Sequence, residues 1–135
     1  FEHTSKMNTF DDKTFEMITR ALKTVGDGKG IYKALVVYNE SSNFSAGANL
    51  GLALFMMNIA LYPQVEEFIG VGQKALMDLK FAPFPVVSAP SGMALGGGCE
   101  ILLASDAVQA HAETYCGLVE VGVGVIPGWG GCKEM

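Results

Sequence analysis

Three consecutive glycines, Gly96, Gly97 and Gly98, stand between an apolar run, Pro85 to Ala89, and the helix-forming stretch CEILLA. That order predicts a strand, a tight turn and a helix start. Glycine tolerates positive φ and lets another group approach the bare backbone. The first N–H groups of the helix have no internal partner and can donate outward to an anionic oxygen. Glu100 falls in the first turn of that helix, and Glu120 follows twenty positions later within GLVEVGVG. Two carboxyl groups beside such donors allow one to accept a proton while the other gives one. The spacing is equally compatible with a glycine turn packed on a neighbouring strand, with Glu100 as an ordinary acid facing the helix dipole.

The 135 residues, 50% of them hydrophobic, suffice for one domain with a real core. Nine basic against fourteen acidic residues give a net charge of −5, which disfavours a broad grip on a phosphate backbone and hence nucleic acid as a partner. A small anionic ligand would have to be met locally, by backbone N–H groups and a few lysines. Cys99, Cys116 and Cys132 are odd in number and lack CxxC spacing, which argues against a disulfide framework and against a zinc site, and for a reducing, cytoplasmic setting. The apolar run from Leu50 to Leu61 is too short to span a bilayer and is expected to be a buried helix.

Taken in order, the chain opens on Phe1 without an initiator Met, as expected for a domain fragment. Asp11 and Asp12 offer an N-cap, and Phe15, Ile18, Leu22 and Val25 recur at helical spacing, predicting a helix over 12–25. KALVVY, residues 33–38, is apolar without alternation, the pattern of a strand covered on both faces. A polar loop follows and closes on Ser45-Ala46-Gly47-Ala48-Asn49. The apolar helix from Leu50 is stopped by Pro63, and a second helix over 64–80 places Val65, Phe68, Ile69, Leu76 and Leu79 on one face. Gly70 and Gly72 within it point to close packing against a neighbour. Pro85 to Ala89 is the second strand, and a short third is expected near 108–111. Repeated strand-turn-helix order implies a largely parallel sheet, with ligands at the carboxyl ends of its strands. A Ser88 or Ser91 nucleophile with His111 and Asp106 is the rival arrangement, but the chain has no GxSxG elbow.

KALVVY with NFSAGANL, then PFPVVSAPSGMALGGGCEILLASD, then GLVEVGVGVIPGWGG together resemble the enoyl-CoA hydratase/isomerase (crotonase) family. More narrowly they resemble the hydratase portion of bacterial proteins that join a 3-hydroxyacyl-CoA dehydrogenase to an enoyl-CoA hydratase. The resemblance implies an α/β, crotonase-like spiral of ββα units acting on acyl-CoA thioesters. Position by position it implies Glu100 and Glu120 as catalytic residues and Ala48 and Gly97 as oxyanion-hole donors. Ala46 and Leu50 would lie at the adenine end of coenzyme A, and Trp129, where relatives carry a small residue, would reshape the acyl pocket or fill core. The helix start at Glu100 favours its ionised form, and apolar Leu118, Val119 and Val121 would help keep Glu120 protonated. Asn49 stands where many relatives carry Asp. Met135 ends the chain where relatives continue into a helical region that closes the pocket and forms trimers. The expectation is therefore a single truncated domain over 1–135, lacking that region, in a parent protein that is a homo-oligomer. No metal or cofactor is implied in this domain; NAD belongs only to a dehydrogenase region outside it.

Overall fold

The computed structural model describes every residue except His3. Helix α1, Asp12–Asp27, starts where the sequence offers a cap: Asp11 Oδ1 accepts from the Thr14 N–H at 2.9 Å, and the Thr14 hydroxyl faces the Asp11 N–H in return. This reciprocal pair satisfies donors that the first turn otherwise leaves open. Its apolar stripe buries Phe15 and Ile18 against the core.

Strand β1, Leu35–Tyr38, lies beside β2, Val86–Ala89, and β2 beside β4, Ala107–Val108, all parallel. Helix α3, Tyr62–Lys80, packs on α1, and α2, Leu50–Asn58, packs on α3. Pro63 sits in the first turn of α3, where its missing N–H is harmless, so it begins that helix and does not stop α2.

The expected strand-to-helix turn contains one more element. Between β2 and the glycines runs β3, Met93–Leu95, which leaves the three-stranded sheet and pairs in parallel with β5, Tyr115–Gly117, as a second sheet. Helix α4, Gly97–Leu103, therefore follows β3. A 3-10 turn, Glu120–Val123, and a short helix α5, Gly131–Glu134, complete the order.

Three burial expectations are corrected. β1 is covered on one face only: Leu35 and Val37 are buried, whereas Val36 is 48% exposed. Helix α2 contains no buried residue, and Phe55 on it is 60% exposed. Apolar residues on every side mean that every side can be covered, but among the described residues α2 packs chiefly on α3, so its other faces stay largely open. Gly72 is buried against Trp129, as a packing glycine should be, but Gly70 has no atom near the position of a Cβ and packs on nothing.

The core centres on an aromatic cluster in which Phe15 meets Trp129 edge-on at 5.0 Å and Phe68 at 5.7 Å. Each such ring contributes about 2–3 kcal/mol through burial. Two buried hydroxyl groups find partners within the core: Ser45 Oγ donates to the Asn8 carbonyl at 2.7 Å, and the Ser88 hydroxyl bonds that of Ser105 at 2.7 Å.

Candidate active site

A cavity of about 200 Å³ opens between α2, α3, the start of α4 and the 3-10 turn. Ala46, Ala48, Leu50, Gly97, Glu100, Glu120 and Trp129 all lie on its wall. Sequence reasoning did not assign to it the faces of the two helices. Leu50, Ala53 and Met57 recur along α2, and Val65, Phe68 and Ile69 along α3, so each helix turns one apolar stripe toward the cavity. The α3 stripe was legible in the chain; that it meets one side of the uniformly apolar α2 at a cavity was not.

The segment Ser45 to Ala48 reaches the glycine turn because it runs alongside β3. The Ser45 N–H donates to the Met93 carbonyl and the Leu95 N–H to the Ser45 carbonyl, each at 2.9 Å. Gly47, at φ +83, lies so near the turn that a Cβ on it would stand 2.7 Å from the Leu95 oxygen and 3.0 Å from the Gly97 nitrogen. Across from it the Phe10 N–H donates to the Gly47 carbonyl and the Asn49 N–H to the Phe10 carbonyl, which leaves the intervening Ala48 N–H on the opposite edge. Among the described residues neither the Ala48 N–H nor the Gly97 N–H has a hydrogen-bond acceptor. Two backbone donors on one cavity wall can serve an oxygen that gains negative charge. Asn49 itself caps α2 through its side chain, which accepts from the Leu52 N–H at 3.2 Å.

Glu100 is only 3% exposed, and its Oε1 accepts from the backbone N–H of both Trp129 and Gly131, each at 2.8 Å. Burial pushes its carboxyl above the ordinary range; the two N–H donors pull the other way, and the nearby Glu120 adds to the upward push. The expectation that a helix start leaves Glu100 readily ionised is therefore corrected, because desolvation outweighs the donors around it. Cys99, next to it and also buried, has its thiol pushed up to about 11, chiefly by burial.

Glu120 sits in the first turn of the 3-10 helix and not on a strand. Its carboxyl lies over Gly96: a Cβ there would stand 2.9 Å from Glu120 Oε1. Its other oxygen, Oε2, is buried and, among the described residues, has no hydrogen-bond partner. Of the apolar residues expected around this carboxyl, Val119 lines the cavity with it, whereas Val121 is 80% exposed and lies off the cavity wall; Gly96 on the turn is the group directly beneath it. The rival serine triad is not assembled. Ser88 bonds Ser105, Asp106 accepts from the Val86 N–H at 2.8 Å, and exposed His111 accepts from the Glu113 N–H. Among the described residues no group of three or more His, Cys, Asp or Glu is placed to hold a metal ion, and no helix is long and apolar enough to cross a membrane.

A family model described as enoyl-CoA hydratase/isomerase matches residues 1–135. A Rickettsia felis protein named as a fatty acid oxidation complex trifunctional enzyme is 41% identical over 136 residues, covering 100% of this chain and 18% of that protein. A crotonyl-CoA hydratase of Syntrophomonas wolfei is 32% identical, covering 96% of this chain and 48% of the relative. An enoyl-CoA hydratase crystal structure from Bacillus anthracis superposes with a TM-score of 0.84 at 26% identity, over 95% of this chain and 48% of that one. The chain thus spans less than half the length of each of these relatives.

Proposed function

The chain belongs to the enoyl-CoA hydratase/isomerase family, and on that premise we propose that its cavity hydrates 2-enoyl-CoA thioesters to 3-hydroxyacyl-CoA in fatty-acid β-oxidation. The observation that carries the reading is that Glu100 and Glu120, distant in the chain, share one apolar cavity with the paired backbone donors of Ala48 and Gly97.

In the reaction, Glu100 takes one proton from water as the water oxygen bonds the β-carbon. The π electrons shift toward the α-carbon and the thioester carbonyl, giving the enolate. Glu120 then delivers a proton to the α-carbon, so the sum is the addition of H and OH across the double bond. Return of the proton held by Glu100 to Glu120, directly or through water, resets both carboxyl groups. Charge that builds on the thioester oxygen falls to the Ala48 and Gly97 N–H groups, each worth on the order of a hundredfold in rate. The two donors on Glu100 Oε1 offset part of the upward push from burial and so favour the ionised form that a base needs. Glu120 Oε2, without a hydrogen-bond partner among the described residues, suits contact with the substrate. The addition is redox-neutral, so this domain needs no cofactor; NAD would serve only a dehydrogenase region elsewhere in the protein.

Ala46 and Leu50 are assigned to the coenzyme A side of the cavity and Trp129 to its acyl side. The open apolar faces of α2 and of the three-stranded sheet fit further covering by the rest of the parent protein and by other copies in a homo-oligomer. The free cysteines fit a reducing cytoplasm.

The test is loss of the conjugated thioester absorbance of a short 2-enoyl-CoA, with Glu100→Gln and Glu120→Gln measured alongside. Each substitution should lower kcat by on the order of a hundredfold or more. Turnover that survives both substitutions would remove the two-glutamate mechanism. Double-bond migration without water addition would move the assignment to isomerase.

A further inference from the structure

The segment that holds Glu100 is Pro127-Gly128-Trp129-Gly130-Gly131, a stretch with three glycines, of which Gly130 adopts φ +121. Such a backbone has little intrinsic preference for one conformation. Yet it must keep two N–H groups on one carboxylate oxygen, at 2.8 Å each. Trp129 is the one large side chain between Pro127 and Cys132, and it is 7% exposed.

Its indole lies between two glycines from different helices. A Cβ on Gly72 of α3 would stand 2.6 Å from Cε2 and 2.8 Å from Cδ1, and closer still to Nε1, the pyrrole edge of the ring. A Cβ on Gly97 of α4 would stand 2.7 Å from Cε3, on the benzo edge, and closer to Cζ3. Phe15 and Phe68 meet the indole edge-on at 5.0 and 5.6 Å. Gly72 is interior to α3 and has no positive φ to require glycine, and glycine there costs about 1 kcal/mol of helix propensity relative to alanine. The indole supplies the reason for its absence of a side chain.

We propose that Trp129 is a positioning residue: its indole, wedged between Gly72 and Gly97, holds the Trp129 and Gly131 N–H groups against Glu100, and Gly72 is the vacancy that admits it. This rests on the hydratase reading of Glu100. Ordinary carbon contacts lie at about 3.5–4.0 Å, so a methyl group at position 72 makes the ring withdraw by on the order of 1 Å. A displacement of that size at reacting groups can cost on the order of a hundredfold.

The experiment compares the parent protein, Gly72→Ala, and Gly72→Ala combined with Trp129→Phe, in the protein that carries this chain. Phenylalanine lacks the fused second ring, which frees space for the added methyl. Gly72→Ala should lower kcat by on the order of a hundredfold with KM little changed, and adding Trp129→Phe should restore at least roughly tenfold of it. The acid limb of the pH–rate profile should also move to higher pH in Gly72→Ala, since the base must be ionised and loses donors that lower its pKa. Among the described residues, the carboxyl group acting on Glu100 is that of Glu120. Cys99 on its own helix and Cys116 on β5 are thiols, and on α5 Lys133 and Glu134 pair with each other, with Lys80 of α3 also on Glu134. An unmoved kcat and acid limb in Gly72→Ala, or a loss that Trp129→Phe does not relieve, would overturn the proposal. Absence of turnover in the unsubstituted protein is a different result, which removes the hydratase reading itself.

Discussion

Replacing Gly47 by alanine tests whether the two backbone donors depend on close approach of separate segments. Gly47 sits at φ +83, where a side chain costs about 1–2 kcal/mol. The added Cβ would meet the Leu95 oxygen at 2.7 Å and the Gly97 nitrogen at 3.0 Å, both backbone atoms that cannot rotate aside. Overpacking of this kind costs a further ~1–3 kcal/mol, and reduced freedom of the unfolded chain returns about 0.4–1 kcal/mol. The net loss is about 2–4 kcal/mol, a large part of the 5–15 kcal/mol typical of a folded domain. Relief of the overlap must also part the Ala48 strand segment from the α4 turn, so one donor leaves the thioester oxygen and kcat falls by about 10²–10³. Urea unfolding read at its midpoint, with the slope checked for constancy, measures the first effect, and enoyl-thioester absorbance measures the second. Gly70→Ala is the control: it lies on α3 with open space around it and should be neutral or stabilising by up to about 1 kcal/mol. A Gly47→Ala protein within about 0.5 kcal/mol of the parent, with unchanged turnover, would refute the reasoning.

Two further expectations follow from the same geometry. Because burial raises the Glu100 pKa in the folded state, its stabilising contribution is complete below the unfolded value near 4.5 and is lost as pH rises through the raised folded value. Glu100→Gln keeps an acceptor for both N–H groups without the charge, so its urea midpoint should match the parent at acid pH and exceed it increasingly toward neutrality; parity across the range would contradict the assigned burial effect. Phe15→Ala should destabilise by about 3–5 kcal/mol, since it empties a site walled by Trp129, Phe68 and Phe10; a midpoint shift worth less than about 1 kcal/mol would mean that the aromatic cluster is loosely packed.

Local chemistry settled much of this protein before any fold was known. The Asp11 cap and the Phe15, Ile18 period define α1 because capping and amphipathic spacing act within a few residues. The order of apolar runs announced parallel strands, and the motifs around NFSAGANL and GGGCE named the residues that line the cavity. What the chain could not disclose depends on atoms far apart along it. An apolar run does not say which neighbour covers it, so β1 and α2 read as buried although each keeps a face open. Glu100 looked like a helix-start acid, but its protonation is governed by burial and by N–H donors 29 and 31 residues away. Gly72 announced close packing against some neighbour, but that the neighbour is Trp129, from beyond α4, could not be read from the chain. Propensity and capping act over one or two turns of chain, whereas desolvation and steric fit depend on which segments meet, and only the tertiary structure decides that.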